Sequence, residues 1–252
     1  MSSLLGAHGA WLLAPAAALL AACLVLVPLG TQVLGRGVVF IDLAVAQVAA
    51  CGALAAGLLI DHPDTWTTAA ASAGAALCGA GFVRWLARRR PADREALIGL
   101  VYVAGASASV LAASFDPHGR ERMAALLAAD VLWAGWPAIA VLAGAAVVVM
   151  CLAWGRGRLL RQDRWFYPVF ALSLSAAVPV LGLYLVFALL IGPAIWARRG
   201  MAVHRCLGLA MAACGIGVAA SALLDWPSGA CVAAALCALG LAAALPARRA
   251  GD

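Results

Sequence analysis

Apolar residues fill this chain in blocks, broken by short polar segments. Nine blocks stand out, at about 10–30, 37–60, 66–87, 96–114, 133–154, 165–178, 184–197, 202–222 and 229–246. A helix that crosses a bilayer needs about 20 apolar residues. The pattern therefore predicts an all-α polytopic membrane helix bundle of about nine transmembrane helices, with eight as the lower count, forming a single transmembrane domain over residues 1–252. The sixth and seventh blocks are short and separated only by PVLGL, so a tight hairpin is expected there, with Pro179 opening its turn. Pro15, Pro28 and Pro193 fall inside other blocks, where neighbouring helices can satisfy the freed backbone groups. Small-residue runs such as CGALAAG and GASAS let helix backbones approach closely, and generic packing accounts for them.

Composition agrees with this reading. Hydrophobic residues make up 66% of the 252 and charged residues only 11%, against about a quarter charged in soluble domains. No room is left for a soluble catalytic domain. The net charge of +6 does not mark a nucleic-acid binder, because its arginines lie in short clusters between apolar runs. If the C-terminal ARRAGD is cytoplasmic, fifteen of the seventeen arginines are too, and only Arg120 and Arg122 lie outside. This positive-inside pattern with nine spans places the N-terminus outside and the C-terminus in the cytoplasm. All nine tryptophans then fall at span ends, as an aromatic belt requires. The N-terminal segment lacks the positive region of a cleaved signal peptide and is expected to be retained. The lysine-free, alanine-rich usage points to a GC-rich bacterial genome, and the expected location is the bacterial cytoplasmic (inner) membrane. The eight cysteines lie in apolar runs without a C-x-x-C pair and read as packing residues.

The polar residues inside the blocks need a reason. A carboxylate at membrane depth costs roughly 2.5–3.5 kcal/mol on insertion scales, yet the second block carries Asp42, with Gln47 five residues on. Asp42 either pairs with a nearby arginine such as Arg36 or faces a substrate path. The period of 3.6 residues puts Asp42 and Gln47 on different helix faces, so both touch one substrate only through helix distortion or at different stages. The outer segment SFDPHGRERMAALLAADVLW offers Asp116, His118, Glu121 and Asp130, oxygen and imidazole donors of the kind zinc or manganese accepts; a solvated loop is the alternative. Asp61, His62 and Asp64 read as a solvated turn. Nucleophile elbows, phosphate loops and the His-Glu-x-x-His motif are all absent, so the chain is not expected to be an enzyme.

Several of these stretches, in order, resemble the permease subunits of zinc/manganese ABC importers. VLGRGVVFIDLAVAQVAACGALAAG is similar to the second-span signature of the branch with an Ile-Asp-Leu-Ala-x-Ala-Gln pattern. REALIGLVYVAGASASVLAAS, DPHGRERMAALLAADVLW and VPVLGLYLVFALLIGPAIWARR resemble later segments of the same family. The resemblance implies a permease that dimerises in the lipid membrane, pairs with a cytoplasmic ATPase subunit and receives its metal from an extracytoplasmic metal-binding protein. It implies no permanently bound cofactor, the divalent metal being the substrate. By position it places Asp42, Gln47 and Glu95 on the transport path, and Asp42, Gln47, Asp116, His118 and Glu121 toward metal. Gln47 stands where better-known members have histidine, and Arg122 where a second outer histidine often follows. The cytoplasmic stretch WGRGRLLRQDRWFY is shorter than the family's usual docking segment, which leaves Arg90, Arg94, Arg158 and Arg161 as the expected ATPase contacts. A permease-like regulatory subunit and an ion-coupled carrier without an ATPase are the alternatives.

If His118 captures metal from outside, His118→Ala should raise the metal concentration needed for half-maximal uptake several-fold. Equal uptake at limiting metal would return that segment to a solvated loop.

Overall fold

The computed structural model describes residues 2–60, 64–115, 119–127, 129–154 and 159–244, and these are helical with no strand among them. The helices are α1 (Ser2–Arg36), α2 (Ile41–Leu59), α3 (Thr65–Arg89), α4 (Arg94–Ser114), α5 (Gly119–Leu127), α6 (Trp136–Trp154), α7 (Asp163–Leu181), α8 (Leu183–Arg198), α9 (Val203–Leu224) and α10 (Ser228–Ala244). Short 3-10 turns at Val131–Trp133 and Leu159–Arg161 precede α6 and α7. Among the described residues seven helices are long and apolar enough to cross a bilayer, and α8 and α10 are shorter apolar helices. These nine follow the nine apolar blocks in order, so the chain is a multi-pass membrane helix bundle.

Two local expectations change. The segment around Glu121 is not simply a loop but contains α5, because GRERMAALL is rich in residues with high helix propensity. The turn between the sixth and seventh spans does not open at Pro179. Helix α7 runs through that proline to Leu181, and the reversal falls on Gly182 at φ 75°. Proline costs the helix one N–H bond, whereas the reversal needs a positive φ, which glycine alone adopts without a Cβ penalty.

The packing has two groups. Helix α1 is the inner post of one: it packs on α6, α8 and α9, and Ala22, Cys23, Val25, Leu26, Val27 and Leu29 are wholly buried. Helix α2 is the centre of the other, against α3 and α4, while α7 touches both groups. Lipid tails are as apolar as leucine, so close backbone approach rather than hydrophobicity holds such helices together. Gly30 provides it, since a Cβ there would collide with the Leu190 carbonyl of α8. The Cys23 and Cys214 thiols meet at 3.9 Å between α1 and α9 as free, buried packing groups.

Helix α1 ends in a clamp. Arg36 Nε donates to Asp163 Oδ1 at 3.2 Å, and Nη2 donates to the Leu160 and Arg161 carbonyls at 2.8 and 2.9 Å. Nη1 donates to the Gln32 carbonyl and to Gln32 Oε1, and the guanidinium lies 4.0 Å from the Phe166 ring centroid. The second Asp163 oxygen faces Arg88 of α3 at 3.5 Å. One guanidinium thus ties α1 to the turn at 159–161 and to α7, and Asp163 extends the tie to α3. Arg36 therefore pairs with Asp163 and not with Asp42.

Arg36→Ala leaves two carbonyls and part of Asp163 without donors and should cost about 2 kcal/mol of stability, read by denaturant unfolding in detergent. Arg36→Lys should recover less than half, because an ammonium does not fork to both carbonyls. An unchanged unfolding midpoint in Arg36→Ala would remove the clamp as a structural element.

Candidate functional site

Asp42 sits in the first turn of α2, where the helix N-terminus favours a negative group. Its side chain is wholly buried, and neither carboxylate oxygen has a hydrogen-bond partner among the described residues. A buried carboxyl without a partner forfeits hydration and gains nothing in exchange, so packing does not explain it.

Gln47 lies further along α2 and is 6% exposed. Its carbonyl accepts from Ser109 Oγ of α4 at 3.4 Å. The approach of α4 depends on Gly105: a Cβ there would stand 3.2 Å from Gln47 Cβ and 3.3 Å from the Val48 nitrogen. Gln47 lines a cavity of about 570 Å³ in the cleft between the α2–α4 group and the α8–α10 pair, with α5 against it. Its other polar and polarisable lining groups are Tyr102, Met123, Tyr184 and Cys237. The cavity lies toward the end marked by Gly182, where Asp130 caps the 131–133 turn by accepting from the Leu132 N–H at 3.1 Å and also accepts from Ser228 Oγ of α10. Asp42 is not among the lining residues. The two polar residues of α2 therefore face different surroundings, as their spacing predicts.

Glu95 does not line the cavity. It stands at the start of α4, where Oε1 accepts from the Val39 N–H at 3.1 Å and Oε2 is buried without a partner among the described residues. Beside it the Arg94 guanidinium packs over Gly37, whose φ is 61°. Together they hold the turn between α1 and α2. Arg90 is exposed after α3, and the exposed Arg161 belongs to the 159–161 turn. Arg158 lies outside the described residues.

Asp116 and His118 lie outside the described residues, and Glu121 is exposed on α5. Asp130 serves as a cap. Asp61 and His62 lie outside the described residues, while Asp64 caps α3. The Thr67 hydroxyl and N–H both donate to Asp64, which holds its carboxyl below the usual carboxylate range. Among the described residues no three of the His, Cys, Asp and Glu side chains come together as a metal-binding group.

Sequence reasoning missed the tyrosines of the cleft and the partner of Arg36. Tyr102 and Tyr184 are polar-tipped residues inside or beside apolar blocks, which is a weak signal. Asp163 offered a better one, as the lone acid in a stretch holding four arginines.

The sequence pattern of the ABC 3 transport family matches residues 158–246, which hold α7 to α10. No curated protein sequence matches the chain. Among solved structures, PsaBC from Streptococcus pneumoniae in complex with Fab is similar over 95% of this chain and 92% of that one, with a TM-score of 0.73 and 12% identity. At that identity the likeness is one of fold alone.

Proposed function

We propose that the chain is the membrane permease subunit of an ABC importer that moves a divalent transition metal, zinc or manganese, across the bacterial cytoplasmic membrane. The observation that carries the reading is the agreement of two independent likenesses. The family pattern falls on α7 to α10, and the shared fold covers nearly the whole chain, including the α2 that bears Asp42 and Gln47.

In this reading the chain supplies the path, and ATP binding in a separate cytoplasmic subunit drives it between outward and inward states. A metal-binding protein delivers the ion at the end where the cleft lies, and a second permease completes the membrane unit. Gln47 meets the ion first, because it already lines the cleft. Asp42 follows once α2 has turned, and the ion then supplies the partner that its oxygens lack. That order of contacts answers the insertion cost of the carboxylate. Glu95 steadies the α1–α2 turn about which α2 moves. Arg90, exposed after α3, is available to the ATPase.

Mild-detergent purification from native membranes should bring a stoichiometric ATPase subunit with the tagged chain, identified by mass spectrometry. A clean assembly without one would favour the permease-like regulatory subunit, to which the short stretch before α7 also points, or the ion-coupled carrier. In the intact importer Asp42→Asn should leave the unfolding midpoint unchanged and depress metal uptake at least about tenfold, the scale expected for losing a charged ligand contact. Full uptake in that variant would take Asp42 off the path.

A further inference from the structure

At the arginine-rich end, away from the cleft, a second cavity of about 190 Å³ opens between α1, α6, α9 and the turn at 159–161. Its polar lining consists of Thr31, Gln32, Trp154 and Arg161, and its apolar wall includes Leu160 and Val203. Thr31 Oγ1 donates to the Pro28 carbonyl at 2.7 Å and is occupied. Gln32 Oε1 accepts from Arg36 at 3.1 Å, and the amide N–H groups of Gln32 have no acceptor among the described residues. The Trp154 indole N–H and the Arg161 guanidinium have no acceptor among the described residues. Gln32, Trp154 and Arg161, from three elements, thus line one cavity, and no carboxylate lines it among the described residues. The nearest acid, Asp163, already faces Arg36 and Arg88. The oxygens of these residues that accept are already engaged by Thr31 and Arg36, and an arginine beside an indole N–H suits an anion such as a phosphate group.

The surroundings identify the source of that phosphate. The most apolar stretches of α6 and α9 are only 22% and 28% buried within the chain, which leaves most of their surface open for lipid to reach. Trp154 ends α6 and is 56% exposed, in the manner of an interfacial anchor. The apolar wall gives an acyl chain a surface beside the phosphate. Basic cavities between membrane helices at a cytoplasmic face take anionic headgroups. We propose that this cavity is a binding site for the phosphodiester headgroup of an anionic phospholipid, held by Arg161, Trp154 and Gln32. The site turns Arg161 toward the bilayer. Because Arg36 grips the Leu160 and Arg161 carbonyls, a seated lipid adds to the same clamp. The proposal does not depend on what the bundle transports.

The test uses the purified full-length chain with whatever subunits accompany it, reconstituted in nanodiscs of an equimolar mixture of phosphatidylglycerol and phosphatidylcholine. Native mass spectrometry after gentle delipidation should find phosphatidylglycerol retained in preference to phosphatidylcholine. Arg161→Ala should lower that retention about fivefold, the contribution of one arginine near an anionic surface. Trp154→Phe, which keeps the ring, should lower it in part, and Arg89→Ala, at the same end but outside the cavity, should not change it. Equal retention of the two lipids, or an equal loss in Arg89→Ala, would reduce the effect to diffuse surface charge and overturn the site. Thermal stabilisation in detergent by millimolar inorganic phosphate, matching that by phosphatidylglycerol, would overturn the lipid as its occupant.

Discussion

The Arg36 guanidinium is the point on which the arginine-rich end of this bundle depends. Three of its nitrogens serve five acceptors, one of them charged, and its face lies on Phe166. A lysine would serve fewer, because its donors radiate from one atom. What the arginine joins matters more than its strength. The C-terminus of the inner post, the turn before α7 and the first residue of α7 converge on it, and Asp163 passes the connection to α3. Helices that lie far apart along the chain are therefore referenced to one side chain. Its side chain is 16% exposed and that of Asp163 40%, so the pair avoids the full desolvation cost of a buried ion pair while remaining largely sheltered from water.

At the other end the joints are made from backbone and short side chains. Gly182 reverses the chain in one residue, and Asp130 links the 131–133 turn to the start of α10. Between these ends the α2–α4 group and the α8–α10 pair leave the cleft that Gln47 lines. The division of labour on α2 is clear in this arrangement. Its small residues seat α3 and α4 close by, Gln47 addresses the cleft, and Asp42 lies buried with its oxygens unmatched. Packing alone gives no reason for a carboxylate there.

Most of the fold was readable from the sequence because the bilayer forces backbone satisfaction within each span, and apolar length alone then marks the helices. The different surroundings of Asp42 and Gln47 were readable for the same kind of reason, helical period. Pro179 misled because proline is a common signal of a helix end, yet the reversal needed a positive φ and waited for Gly182. Helix α5 was hidden by the polar residues around it, although GRERMAALL has the propensity to fold. Whether Arg36 would meet Asp42 or Asp163 was beyond sequence reasoning. Asp42 is six residues away along the chain and Asp163 is 127, and only tertiary packing decides between them. The outer donors Asp116 and His118 rest on sequence alone, while Asp130 turned out to cap a turn, a role that its place before VLW permits in retrospect.

The inner position of α1 has a consequence for how the protein is made. Helix α1 leaves the ribosome before α2, α3 and α4 but finds few of its final neighbours among them, since its packing partners are α6, α8 and α9. At about 5–20 residues per second, the stretch from the end of α1 to α9 takes on the order of ten seconds or more to synthesise. During that time Gly30 and the buried face around it must be covered by lipid, the insertion machinery or a helix that later yields its place. The α2–α4 group has no such delay, because its members are consecutive. Biogenesis thus runs from a locally assembled trio toward late capture of α1, and the clamp at Arg36 closes only when residues 160–163 arrive.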